Sequence, residues 1–316
     1  MERLHPRGID ADGYILTVPN VEIQPQFQDL LVDVCMTLTR SEPLLDGIYI
    51  YGSVARGDAV LGGSDLDLTL VLQSTPTSQD LEMFESKRRT LENRHTEVIK
   101  IDFDIGSRSE VLAAGNRLSW GYWLKHHCRC LWGNDLSKRF DRLKPSRDIA
   151  IAVNGDFESE LTRYADLIDQ ATTPTQSLRL QREASRKLIR STQVLRSEKD
   201  LMWPQTLEEH VELFVQHYPC MSMQISFFLS QARSPYAKPK EFTAQLHFFF
   251  DLDGYRNRLG PFLPTKNQQL QVVSLWQILT RKLLRRVPHE PTKRRRCRLE
   301  PYRKTIGASH LRARKV

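Results

Sequence analysis

Between residues 48 and 72 two short apolar runs flank a glycine-rich stretch, and this arrangement constrains the fold more than any other feature of the 316-residue chain. Ile48-Tyr49-Ile50-Tyr51 is rich in β-formers and stops at Gly52-Ser53. Leu66 to Leu72 is almost continuously apolar, as expected of a strand buried on at least one face. Asp65 and Asp67 stand two apart where that strand begins. Period two puts both carboxylates on one face, with backbone positions roughly 6–7 Å apart. Carboxylates that close repel unless a cation lies between them. Hard oxygen ligands with open coordination positions suit magnesium held together with substrate phosphates. Gly52 allows a ligand close to the backbone, and N–H groups with the Ser53 hydroxyl can receive phosphate oxygens.

A later alternation, Glu97 to Ile105, predicts a third strand with Val98, Ile99, Ile101, Phe103 and Ile105 on its apolar side. Asp102 and Asp104 occupy the opposite face. If this strand lies beside Leu66–Leu72, one of the two faces Asp65 and Asp67. Three aspartates can hold two magnesium ions about 4 Å apart, the arrangement used for in-line displacement at phosphorus.

Helical spacing over residues 27–40, with Leu30, Leu31, Val34, Cys35 and Leu38 on one side, predicts an amphipathic helix ended by Pro43. Ser78 to Asn93 reads as a charged surface helix. Beyond Gly106 the pattern turns helical over 108–131, 156–170, 176–198, 206–217, 241–250 and 266–286, with prolines between several of these segments. The expected fold class is therefore α+β, a small mixed-sheet domain over 1–145 followed by an all-α domain over 146–288. Residues 289–316 read as a basic, flexible tail.

Charge sharpens that division. Residues 281–316 hold 14 Lys and Arg against Glu290 and Glu300, whereas residues 1–280 hold 32 against 36 Asp and Glu. The chain's +8 is thus a body of −4 carrying a tail of +12. Apolar residues at 40% and charged residues at 27% exclude a largely disordered or collagen-like chain. No apolar run approaches the ~20 residues that span a bilayer, so no membrane partner is expected. Five cysteines and a start without an apolar core fit a reducing cytoplasm.

Gly52-Ser53, Gly57 and Asp65-Leu66-Asp67, with a third aspartate on a later strand, resemble the signature of the polymerase-beta-like nucleotidyltransferases. The form Gly-Ser-x-Ala-Arg-Gly-Asp…Ser-Asp-Leu-Asp-Leu is most similar to the minimal nucleotidyltransferase domains and the aminoglycoside adenylyltransferases. Leu131-Trp132-Gly133-Asn134-Asp135-Leu136 resembles a segment that follows their catalytic core. The likeness spans residues 47–105 and extends to about 136. It implies a magnesium-dependent transferase that moves a nucleoside monophosphate, with ATP as donor, to an acceptor hydroxyl and releases pyrophosphate. Asp65, Asp67 and Asp102 would be the catalytic metal ligands, with Asp104 the alternative third carboxylate, and Asp102 would also activate the acceptor. Gly52, Ser53, Arg56, Gly57 and Ser64 would form the nucleotide site. The expected acceptor is a small molecule of aminoglycoside type. The alternatives are a protein hydroxyl, an RNA 3′ end bound through the basic tail, or a non-catalytic nucleotide- or nucleic-acid-binding module.

Other patterns have plainer readings. Asp251-Leu252-Asp253-Gly254 repeats the Asp-x-Asp spacing without an upstream Gly-Ser and reads as a turn. His126-His127-Cys128-Arg129-Cys130 lacks a second ligand pair and reads as ordinary helix rather than zinc site. Phe227-Phe228 and Phe248-Phe249-Phe250 read as helical core. Trp120, Trp123 and Trp132 divide between core and cleft. Lys187 and Arg190 read as a solvated face, with contact to triphosphate the alternative.

Overall fold

The computed structural model describes residues 7–40 and 44–251. All of these belong to one compact unit, Met1–Asn257. Pro43, the Asp251–Gly254 turn, the expected helix over 266–286 and the basic tail over 289–316 lie outside the described residues in whole or part.

The architecture is α+β, as expected. Helix α1 (Gln28–Thr39) buries Leu30, Leu31, Val34 and Leu38, the stripe its spacing dictates. Strand β1 (Leu45–Tyr51) runs into a five-residue helix, α2 (Gly52–Arg56). Strand β2 (Leu66–Leu72) is followed by α3 (Ser78–Arg94), which opens with a reciprocal Thr77/Asp80 capping box and buries only Phe84 and Leu91. Strand β3 covers Ile101–Ser107, and the short α4 (Arg108–Val111) and α5 (Tyr122–His126) lead to β4 (Arg129–Gly133).

Two sequence expectations need correction here. Residues 97–100 are not strand. They form a bend in which Ile99 is exposed and Glu97 and Lys100 carbonyls accept the Gly62 and Leu66 N–H groups. The 108–131 helix is likewise broken, because Arg129–Gly133 pairs antiparallel with β1 as a fourth strand. Gly133 ends it at φ +83°, where a Cβ would collide with the Asp46 carbonyl, so the close approach of the two strands requires glycine.

The sheet order is β3-β2-β1-β4, with β2 and β3 parallel and the other neighbours antiparallel. Ile48, Ile50, Leu66, Leu68, Leu70 and Ile101 bury one face against α1 and α3. The other face carries Tyr49, Val71 and Thr69 under Leu124, Cys128 and Trp123, and becomes polar toward the C-terminal ends of β1 and the N-terminal ends of β2 and β3. Asp46, at the far end of β1, is nearly fully buried and accepts two 2.8 Å bonds from Arg108 and one of 2.6 Å from Asn134.

Helices α6 (Arg147–Asn154), α7 (Phe157–Asp169), α8 (Pro174–Ser191), α9 (Leu207–His217), α10 (Ser222–Arg233) and α11 (Pro239–Asp251) complete the described chain. The sequence reading omitted α6 and α10. Phe228, Phe242 and Phe249 meet edge-on in the core of this part, as the aromatic runs suggested. Ile15, Tyr122, Ile149, Ala150 and Trp203 form an apolar joint between the sheet and the helices. The Trp203 indole N–H donates to the Tyr122 hydroxyl across it at 2.8 Å.

Candidate active site

Pairing register sets the site. Tyr51 lies opposite Asp67 across the β1–β2 ladder, and Asp67 opposite Asp102 across β2–β3. Partners in a ladder share a face, so a tyrosine and two carboxylates form one row across three strands. Asp104 pairs with Thr69, two residues further along on the same face, and accepts a 2.6 Å bond from the Tyr51 hydroxyl. Asp65 precedes β2 by one residue, and period two returns it to the Asp67 face.

The loop between α2 and β2 is held at several points. Gln24 bonds both the N–H and the carbonyl of Ala59, and the Ser64 hydroxyl accepts the Val60 N–H at 2.9 Å. Ser64 therefore shapes the loop that delivers Asp65. Gly57 caps α2 in the left-handed region, with its N–H on the Ser53 and Val54 carbonyls. Gly52 has φ +74°, and a Cβ there would collide with Asp67 Oδ2. The Gly52 backbone and the Asp67 carboxylate are thus in direct apposition. The Ser53 hydroxyl beside them makes no hydrogen bond to another described residue. Arg56 is exposed and pairs with Asp58 at 3.2 Å.

The carboxylates act on one another. Desolvation, then the charges of Asp65, Asp102 and Asp104, push Asp67 up to about 6. Asp65 is raised by desolvation and by Asp102, against the pull of Lys100, Arg186 and Arg182. Asp104 is raised by desolvation, against the Tyr51 hydrogen bond, with Asp102 adding to the rise. The donor set is purely carboxylate oxygen, which suits a hard divalent cation. As the side chains stand, no three carboxylate, histidine or cysteine groups among the described residues converge to hold an ion. Asp102 is turned instead to the Lys100 ammonium, 2.7 Å away.

Opposite the carboxylates runs an arginine row that the sequence reading did not single out as such. Arg182, Arg186 and Arg190 are spaced by four on α8, so they share a face. Arg182 and Arg186 act on Asp65, and Arg190 on Asp67. Arg190 is open to solvent yet crowded by protein, and that desolvation together with Arg186 lowers its pKa. Lys187 is turned away and pairs with Asp156 at 2.6 Å. The spacing of four was available in the sequence, whereas Tyr51, at the end of β1, and Lys100, just before β3, carried no signal of their own.

No family model matches the chain, and no curated protein matches it. Among solved structures, the chain is similar to the spectinomycin adenyltransferase AAD(9) of Enterococcus faecialis, determined with ATP and spectinomycin. The TM-score is 0.45 at 15% identity, over 69% of this chain and 98% of that one.

The remaining aromatic and histidine residues also find places. Trp123 meets Tyr51 edge-on at 4.7 Å and donates its indole N–H to Thr69 at 3.1 Å, so it walls the polar face. Trp120 donates to Glu110, and Trp132 packs on the α1 side of the sheet. His127 stacks on Trp123 and shares a 2.6 Å bond with the Tyr122 hydroxyl. His126 meets the Leu16 carbonyl and the Leu143 N–H. Arg129 and Cys130, expected in a helix, are strand residues. Among the described residues no helix is long and apolar enough to cross a membrane.

Proposed function

We propose that this chain is a magnesium-dependent nucleotidyltransferase that moves AMP from ATP to an acceptor hydroxyl, with pyrophosphate leaving. The observation that carries this reading is the row Tyr51–Asp67–Asp102, with the Gly52 backbone set against Asp67 on one side and the α8 arginines on the other. Carboxylates facing cations across a gap fit a ligand that is itself a metal–polyphosphate complex.

In this reading Asp65, Asp67 and Asp102 hold the metal, and Asp104 stays with Tyr51. Magnesium bound there would polarise the phosphoryl oxygens and offset the charge developing on pyrophosphate. Gly52 and Ser53 bind the β- and γ-phosphates through backbone N–H and hydroxyl groups. Arg186 and Arg190, with Arg56 near the same cleft, neutralise the triphosphate. Ser64 and Gly57 support the loop rather than the phosphates. Asp102 takes the acceptor proton as the acceptor oxygen bonds to the α-phosphorus and the bond to the bridging oxygen breaks. Positioning and charge stabilisation supply most of the rate. Within the described residues, the sheet part up to residue 145 would carry the chemistry and the helical part over 146–251 would face it through α8.

The acceptor is proposed to be a small, cationic, hydroxylated molecule of aminoglycoside type. The net −4 of residues 1–280 supports it. The test is transfer of label from α-labelled ATP to such acceptors, with pyrophosphate measured in parallel. Asp65→Ala with Asp67→Ala should abolish both. Acceptor-dependent pyrophosphate release that persists in the double variant would overturn the reading.

A further inference from the structure

Four carboxylates, Asp65, Asp67, Asp102 and Asp104, crowd one end of the sheet, and Asp102, the register partner of Asp67, is ion-paired with Lys100. Lys100 immediately precedes β3, and its carbonyl accepts the Leu66 N–H at 2.8 Å, between Asp65 and Asp67 in sequence. Its backbone is therefore fixed beside the aspartate strand. The ammonium lies 2.7 Å from Asp102 Oδ1, with both side chains about a third exposed, at 36% and 37%. It also acts on Asp65 and Asp67. Glu183 of α8 attracts the same ammonium.

We propose that Lys100 is a tethered cation for the aspartate cluster, which holds Asp102 in the metal-free protein and is displaced from it when a divalent cation binds. The inference rests on Asp65, Asp67 and Asp102 being metal ligands, as proposed above. A monovalent ammonium on a flexible stem offsets part of the charge of four clustered carboxylates at little cost, because only one side chain must move to release it. A divalent ion offers twice the charge and several oxygen positions, so it replaces the ammonium on Asp102. Glu183 then provides the displaced ammonium with a partner. Lys100 in this role sets metal affinity and keeps the cluster from repelling itself apart. It is a positioning residue, since it acts through Asp102.

The experiment is binding of Mn2+ to the full chain, read as loss of the free-ion electron paramagnetic resonance signal, for the wild type, Lys100→Met and Lys100→Arg. Removing one positive charge from direct contact should tighten Mn2+ binding on the order of tenfold in Lys100→Met. Lys100→Arg, which keeps the charge, should stay near the wild type. Without metal, Lys100→Met should melt below the wild type, and saturating Mn2+ should erase the difference. Equal or weaker Mn2+ affinity in Lys100→Met, with measurable wild-type binding, overturns the role of Lys100 and leaves the metal site intact. Absence of Mn2+ binding in all three proteins overturns both the metal site and the role built on it.

Discussion

Gly52 and Asp67 pack with no room for a methyl group between them: at φ +74°, a Cβ on the glycine would collide with Asp67 Oδ2. The end of β1 and the start of β2 are thereby brought as close as backbone and carboxylate allow. Any side chain at position 52 must displace either the α2 turn or the aspartate.

Gly52→Ala should therefore combine backbone strain of about 1–2 kcal/mol with movement of Asp67. Melting should drop by a few degrees, while acceptor-dependent pyrophosphate release falls more than a hundredfold. The expected signature is an activity loss far larger than the loss of folded protein, and comparable losses in the two would remove the special role of this contact.

The α8 arginines should govern nucleotide affinity. Arg186→Ala and Arg190→Ala are each expected to raise KM for ATP on the order of tenfold, with a smaller change in kcat, because under the proposed function each would remove a charge-assisted contact to phosphate. Lys187→Ala removes a cation from the same helix that is paired with Asp156, and should leave KM within about twofold of the wild type.

Two histidines make the fold acid-sensitive. Desolvation, then His126, Arg190 and Arg56, hold His127 down to about 3, and desolvation with Arg190 holds His210 down to about 3. Between those values and the ordinary 6.5 the unfolded chain binds protons that the folded chain does not. Stability is thus complete above pH 6.5 and falls as the pH drops toward 3. Melting curves from pH 7 to pH 4 should show this, and His210→Leu should flatten the acid limb. Its Nδ1 is buried without a partner, so that substitution leaves no new polar group stranded.

Asp46→Ala should destabilise the protein by about 2–4 kcal/mol, since it leaves Arg108 and Asn134 facing a buried gap. Asp46 is at the opposite end of β1 from Tyr51. Turnover per folded molecule should remain close to that of the wild type, as measured at a temperature well below melting.

The local elements were legible in the sequence because local rules fix them. A nearly continuous apolar run gives β2 at Leu66–Leu72, helical spacing gives α1, and a capping box with a charged face gives α3. Elements whose identity depends on a distant partner were not. Arg129–Gly133 becomes a strand only because β1 offers an open edge, and residues 97–100 leave the strand because their carbonyls serve the loop that carries Asp65. Helices α6 and α10 were missed although each carries a buried face.

The candidate site divides the same way. Gly52, Ser53, Asp65 and Asp67 sit within one short stretch, so their proximity follows from chain connectivity and the period of a strand. Asp102 and Asp104 share a face and two-residue spacing, and the sequence offers both. The parallel register of β2 and β3 seats Asp102 beside Asp67, while the Tyr51 hydroxyl takes Asp104. The pairing of Lys100 with Asp102 and the position of the α8 arginines across from the carboxylates arise only when strands and helices pack. Residue identity alone sets which groups carry the charge and the backbone freedom. Tertiary structure decided which of them meet, because hydrogen-bond register and helix docking act between segments that local periodicity does not connect.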